Sequence, residues 1–240
     1  MRRALLPLSV LVAVALLPLG AATAKKPVPT CDGQPATIVG TNGNDTLTGT
    51  PGPDVIVGLK GDDTIRGGLG DDVICGGKGD DSLSGQGEND RLFGQHGDDV
   101  LDGGEGGCCN VSTNTGDDFL SGGQGDDELH TSDFPTLGNT LRGNQGNDRL
   151  FVWSGGWAYG GNGHDTIRQF SGNAFLSGGN GRDDILDWDD GGIQNETLTL
   201  AGGNGRDVLR SEDNTSIATL NGGNGSDTCS GGDTTTRCEN

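Results

Sequence analysis

A nine-residue period constrains this chain more than any other feature. Written from Gly40 in lines of nine, the sequence reads GTNGNDTLT, GTPGPDVIV, GLKGDDTIR, GGLGDDVIC, GGKGDDSLS, GQGENDRLF and GQHGDDVLD without a gap. Position 1 is always Gly, position 6 always Asp, and position 8 always Leu or Ile. Position 4 is Gly except at Glu88. The glycines permit the positive φ angles and close backbone approach of a tight turn. Positions 7 to 9 alternate outward, inward, outward, as a short β-strand does. Leu47, Ile56, Ile65, Ile74, Leu83, Leu92 and Leu101 then form the apolar interior. One such unit cannot bury its own apolar residue, so the units must stack into a solenoid.

Composition agrees with a thin interior. Glycine supplies 48 of 240 residues, hydrophobic residues 30%, and the formal net charge is −20. Too few large apolar side chains exist for a thick two-layer core. The acidity also argues against nucleic acid, whose phosphates this surface would repel. The expected fold is all-β, a right-handed parallel β-solenoid with two nonapeptides per turn. Residues eighteen apart then stack at about 4.7–4.9 Å. That places Asp45, Asp63, Asp81 and Asp99 on one edge, and Asp54, Asp72 and Asp90 on the other. Carboxylates so close in a partly dry turn repel by several kcal/mol at an effective dielectric of about 20. A cation between them removes the conflict. The fixed positions offer only carboxylate and carbonyl oxygens, which suit Ca²⁺ better than zinc or copper, and better than Mg²⁺ with its strict octahedron.

The lines GGLGDDVIC and GGKGDDSLS resemble the RTX (repeats-in-toxin) hemolysin-type calcium-binding nonapeptides, written G-G-x-G-x-D-x-U-x. The resemblance extends from Gly40 to the C-terminus. It implies a parallel β-roll with Ca²⁺ between successive turns on each edge, held by the position-6 aspartates and by turn carbonyls. Relatives often join the roll to a catalytic or toxin domain. This chain has no room for one, so no enzymatic role carries over.

After Leu101 the register loosens. Gly103 to Ser112 reads as a ten-residue line with Cys108 at the Asp position, and no good ligand is expected there. Asp118 and Asp127 restore the pattern; Thr131 to Arg142 departs again. Full motifs then begin only at Gly143, Gly160, Gly178, Gly202 and Gly222, spaced about one whole turn apart. Their aspartates, Asp148, Asp165, Asp183, Asp207 and Asp227, are expected on a single edge. The predicted organisation is a leader over 1–24, a cap segment over 25–39, a two-edged roll over 40–130 and a one-edged roll over 131–240.

The leader reading rests on Arg2 and Arg3, the apolar run Ala4 to Leu19, and the Ala22-Thr23-Ala24 cleavage signature. No later stretch is apolar enough to span a bilayer. A secreted, extracellular product is expected, and six cysteines agree with an oxidising compartment. Cys229 and Cys238 fall at position 8 of consecutive lines, so a disulfide there would close the C-terminal end. Val55, Val57, Val73, Cys75 and Phe93 form an outward apolar stripe that asks for a cover. Cys31 to Val39 is the candidate, pinned by Cys31–Cys75. Cys108 and Cys109 pair with each other or stay reduced; the sequence leaves both open.

Catalysis finds little support. His96, His130 and His164 occupy variable, outward positions, and no nucleophile elbow or H-E-x-x-H motif occurs. The function expected is a secreted calcium-binding protein that folds on binding several Ca²⁺ ions, about ten by the count of stacked motifs. The alternative is an extracellular adhesin or glycan-binding module on the same scaffold. Trp153, Trp157 and Trp188 lie in variable half-turns where rings could stack on a sugar, although filling irregular loops is the favoured role.

Overall fold

The computed structural model describes residues 27–104, 117–131, 138–153, 155–188, 197–212, 217–231 and 238. The leader, Cys108 and Cys109 lie outside the described residues. A short antiparallel hairpin, β1 (Thr30–Cys31) and β2 (Gln34–Pro35), precedes two parallel sheets of ten strands each. The odd sheet holds β3 (Ile38–Val39), β5 (Val55–Lys60), β7 (Val73–Lys78), β9 (Arg91–His96) and β11 (Phe119–Gln124). It continues through β13 (Thr140–Gln145), β15 (Gly156–Gly163), β17 (Ala174–Gly181), β19 (Thr197–Gly205) and β21 (Ile217–Gly225). The even sheet holds β4 (Thr46–Thr48), β6 (Thr64–Gly68), β8 (Ser82–Gln86), β10 (Val100–Asp102) and β12 (Glu128–His130). Its later members are β14 (Arg149–Val152), β16 (Thr166–Gln169), β18 (Asp184–Asp187), β20 (Val208–Ser211) and β22 (Thr228–Ser230). The chain alternates between sheets, and each strand pairs with its counterpart one turn away. This is the solenoid that the period demands.

One inward residue per strand builds the core. Ile56, Ile74, Leu92, Leu120, Leu141 and Leu176 line the odd sheet at 0% exposure, and Ile65, Leu101, Leu129, Leu150 and Ile167 face them from the even sheet, equally buried. Burying each such side chain stabilises the roll by about 1.5–3 kcal/mol. Ile38 joins this core from the first strand of the odd sheet. The predicted cap segment therefore divides in two: Ile38 and Val39 belong to the roll, and only the hairpin before them acts as a cover.

That cover packs Cys31 and Ala36 on Val57, Val73 and Cys75, with Val55, Leu59 and Phe93 at the margin. A Cys31–Cys75 disulfide holds it down, with Cα atoms 5.8 Å apart. At the other end a disulfide joins Cys229 to Cys238.

The register advances by 18 residues per turn at first, then by 28, 21, 17, 18, 24 and 20. The 28-residue step bears on the line from Gly103 to Ser112, of which 105–112 lie outside the described residues: among the described residues β11 follows β10 and pairs with β9 in unbroken register. Gly103 opens a turn that Asp118 completes, and the extra residues lie between them.

Later strands of the odd sheet lengthen from six residues to eight or nine. The added length brings a second inward layer: Ala174, Leu198 and Ala218 from the odd sheet and Val152 from the even one, all buried. Gln169, Asp187 and Ser211 stack in register along the same layer, and Ser211 Oγ donates to Asp187 Oδ2 at 3.0 Å. Where a nonapeptide turn is missing, apolar area replaces it.

Candidate metal centre

Each position-6 aspartate sits at the mouth of a turn, one residue before a strand. Its placement follows from the strand hydrogen bonds: Ser82 N–H donates to the Asp63 carbonyl at 2.8 Å, so Asp63 and Asp81 stack one above the other. The backbone N–H of Asp45 donates to Oδ1 of Asp63, that of Asp63 to Asp81, and that of Asp81 to Asp99, at 2.7–2.8 Å. The ladder continues through Asp127, Asp148, Asp165, Asp183 and Asp207 to Asp227 at 2.8–3.0 Å. All ten aspartates share one edge.

The opposite edge carries a shorter ladder. Asp54 N–H donates to Asp72 Oδ1, Asp72 to Asp90 and Asp90 to Asp118, at 2.8–3.0 Å. Asp118 N–H then donates to Oδ1 of Asn139 at 2.8 Å. Asn139 is fully buried and stands where the next aspartate would. Sequence reasoning passed over it, although Asn139-Thr140-Leu141 repeats the Asp-Thr-Leu of the first line with an amide for the acid. Beyond Asn139 this edge has no further ladder member among the described residues.

The second carboxylate oxygens define the chemistry. Oδ2 of Asp63, Asp72, Asp81, Asp90, Asp99, Asp118, Asp127, Asp148, Asp165, Asp183, Asp207 and Asp227 is buried without a hydrogen-bond partner. A buried polar atom without a partner costs about 1–3 kcal/mol, more when charged. Twelve of them stand in register, and positive charge placed beside them would offset that cost. Carbonyl oxygens of the next turn lie close by at several of them, as at Gly58, Gly67, Gly143, Gly160 and Gly202. A methyl group added to Gly202 would lie 2.5 Å from Asp207 Oδ2 and 2.5 Å from the Gly222 carbonyl oxygen of the next turn. The turn itself runs through left-handed backbone, with φ of 104° and 152° at Gly203 and Gly205. Leu59, Gln86, Glu88, Gln95 and Asn144 hold the same conformation at equivalent places, with φ between 74° and 88°.

Without a cation, protons take up the strain. Burial pushes Asp90 and Asp127 up to about 8, with the incoming N–H opposing and neighbouring carboxylates adding to the rise. The same causes bring Asp81, Asp118, Asp165 and Asp183 to about 7, and Asp72, Asp99 and Asp148 to about 6. Burial also raises Asp63 and Asp207.

The first aspartate of each ladder differs. Asp45 Oδ2 accepts the N–H and hydroxyl of Thr41 at 2.6 and 3.0 Å, and Asp54 Oδ2 accepts those of Thr50 at 2.6 and 2.9 Å. Thr37 donates its hydroxyl to Asp54 Oδ1 at 2.9 Å. Burial raises Asp54, yet the Thr50 and Thr37 hydrogen bonds outweigh it and hold the carboxyl below its usual range. The protein satisfies these two aspartates by itself.

Against known families, the model of the RTX calcium-binding nonapeptide repeat, in four copies, matches residues 39–74, 76–107, 110–133, 137–156 and 219–234. The chain belongs to this family. No curated protein matches it significantly. The RTX match skips 157–218, the stretch where the second edge has lost its turns, yet the long ladder runs through that stretch unbroken. The donor set fits the ion that the family name implies. Ca²⁺ accepts many oxygen ligands in flexible geometry, and the edges present carboxylates and carbonyls together.

None of the three histidines hydrogen-bonds a buried ladder Oδ2 among the described residues. His96 Nδ1 contacts Gln124 Oε1 at 2.9 Å, His130 stacks on Phe151, and His164 Nδ1 accepts the Arg182 N–H.

Proposed function

We propose that this chain is a secreted calcium-binding protein whose roll forms as Ca²⁺ enters between stacked turns. The observation that carries this reading is the set of twelve buried, partnerless Oδ2 atoms along two edges. Asp63, Asp81, Asp99, Asp127, Asp148, Asp165, Asp183, Asp207 and Asp227 hold ions on the long edge. Asp72, Asp90 and Asp118 hold them on the short edge, with the carbonyls of adjoining turns. Asp45 and Asp54 close the ladders at their first turns. When bound, Ca²⁺ supplies the charge that lets the carboxylates stay ionised in a dry turn.

In this reading the metal-free chain, with its large negative charge, is largely unfolded. Extracellular modules bind Ca²⁺ at roughly 10⁻⁴–10⁻³ M, so the chain stays loose at low calcium and sets outside the cell. The role is structural and not enzymatic. Far-UV circular dichroism of residues 25–240, titrated with Ca²⁺ and separately with Mg²⁺, tests it. A cooperative gain of β signal in Ca²⁺ alone is expected. A spectrum already folded in chelator and unmoved by Ca²⁺ would overturn it.

A further inference from the structure

The outer face of the odd sheet is chemically unlike the rest of the molecule. From Val55 to Asn221 no outward side chain of its strands is a carboxylate, in a chain with 35 acidic residues. The even sheet, by contrast, presents Asp102, Glu128 and Asp184 outward. The hairpin covers the odd face only as far as Phe93. Beyond it the face carries Phe119, Arg142, Trp157, Tyr159 and Phe175. Trp157 and Tyr159 are 45% and 37% exposed.

Arg142 is the informative residue. Its guanidinium lies 5.4 Å from the ring centre of Phe119 and 5.8 Å from that of Tyr159. Arg91 stands one turn below the Phe119 strand but is engaged by Asp32 of the hairpin at 3.0 Å. Arg142 has no ion-pair partner among the described residues. Its aromatic neighbours restrict the side chain without using its N–H fork, the donor arrangement that matches a carboxylate bidentately. Trp157 lies on the adjoining strand, beside Phe175 in register. Along the border of the same face Asn162, Asn180, Asn204 and Asn224 form an exposed amide ladder with bonds of 2.7–2.8 Å.

We propose that this face binds a polysaccharide bearing uronate groups, with a sugar ring stacked on Trp157, its carboxylate on Arg142 and its hydroxyls on the border amides. An exposed indole such as Trp157 suits the C–H face of a pyranose, and amphipathic rings favour a partner that is apolar on one side and wet on the other. A single free arginine suits a sparse anion. A dense polyanion such as nucleic acid would meet the acidic edges as well. The inference rests on the calcium reading, because ions on both edges lower the repulsion that an acidic glycan would otherwise feel.

Isothermal titration of the chain in saturating Ca²⁺ with a glucuronate-containing hexasaccharide, and with its carboxyl-reduced counterpart, tests the proposal. Binding of the acid form is expected, weakened at least tenfold by Arg142→Gln, by Trp157→Ala, or by carboxyl reduction. Arg210→Gln, on the outer face of the even sheet, leaves binding unchanged. Circular dichroism of every variant in Ca²⁺ separates the two readings: a chain that never folds in Ca²⁺ defeats the calcium reading and the glycan face with it. A folded chain with no measurable binding at millimolar sugar overturns the glycan face alone. So does equal binding of the neutral sugar, or undiminished binding by both folded variants. Sedimentation showing a dimer that Trp157→Ala abolishes would give the face to a second copy and overturn it too.

Discussion

The backbone N–H of Asp99 donates to Oδ1 of Asp127 at 2.8 Å, across 28 residues of sequence. This bond makes each carboxylate do two jobs. One oxygen ties its turn to the previous one, and the other, in the proposed function, meets the cation. A substitution that spares the first job and removes the second is therefore informative. Asp127→Asn keeps an acceptor for the Asp99 N–H but loses the charge. It is expected to lower the number of bound Ca²⁺ ions and raise the calcium midpoint several-fold, read by calorimetry and circular dichroism. Asp45→Asn, at the capped end, should move the midpoint far less. Equal effects at both positions would contradict the division between them.

The threonine caps should matter most at limiting calcium. Thr50→Val removes the hydroxyl that Asp54 Oδ2 accepts and leaves a buried carboxylate short of one donor. A loss of about 1–2 kcal/mol is expected for the first turns. Hydrogen exchange of the amides in Val55–Lys60 and Val73–Lys78, at calcium near the folding midpoint, would report it.

Stability should depend on pH in opposite ways with and without metal. The buried aspartates rise to values between about 6 and about 8 in the metal-free roll, from an ordinary 3.8. Between those limits the folded state binds more protons than the unfolded chain, so folding weakens as pH rises. In chelator, acidification from about pH 8 toward about pH 4 should therefore favour the roll. In excess Ca²⁺ the carboxylates stay ionised, and stability should hold across that window and fall only near pH 4. Thermal melts in both buffers check the sign.

A methyl group at position 1 should crowd the turn oxygens. Gly202→Ala places a carbon against Asp207 Oδ2 and the Gly222 carbonyl oxygen, and the Asp207 carboxylate is held in place by the Asp183 N–H on its other oxygen. Overpacking of this kind costs about 1–3 kcal/mol. The expected result is loss of calcium response in the last turns, with the turns before Gly160 still folding. Limited proteolysis in Ca²⁺, followed by mass spectrometry, would show where protection ends.

The Cys31–Cys75 bridge closes a loop of 44 residues. Loop-closure entropy assigns about 4 kcal/mol to such a link. A Cys31→Ser, Cys75→Ser variant should lose roughly that amount and expose Val57 and Val73. A dye that binds apolar surface, compared with the parent chain, would detect the uncovered stripe.

Much of the fold was legible because the period fixes three columns at once. Inward Leu101 and edge Asp63 follow from counting, and the motif spacings after Gly143 equal the observed register. Counting failed where the period breaks. The line from Gly103 to Ser112 has no strand of its own between β10 and β11 among the described residues, its Cys108 lies outside them, and Gly103 packs against Asp118 instead. Asn139 was missed because an amide breaks the motif while keeping the backbone bond. Thr41 and Thr50 sit at a column that varies freely in every other line. Their significance appears only when the carboxylate they reach is in view. The second inward layer of Val152, Ala174 and Leu198 has no repeat to announce it, because each half-turn there has its own length.

The 28-residue step has a practical meaning. Arg91 pairs with Phe119 and Leu101 with Leu129 as though nothing had been added between the turns. The edge at Gly103 thus works as a splice point: the roll tolerates foreign length there and resumes its count on the far side. Under the proposed function, a peptide grafted at that point would be displayed on a scaffold that calcium switches on.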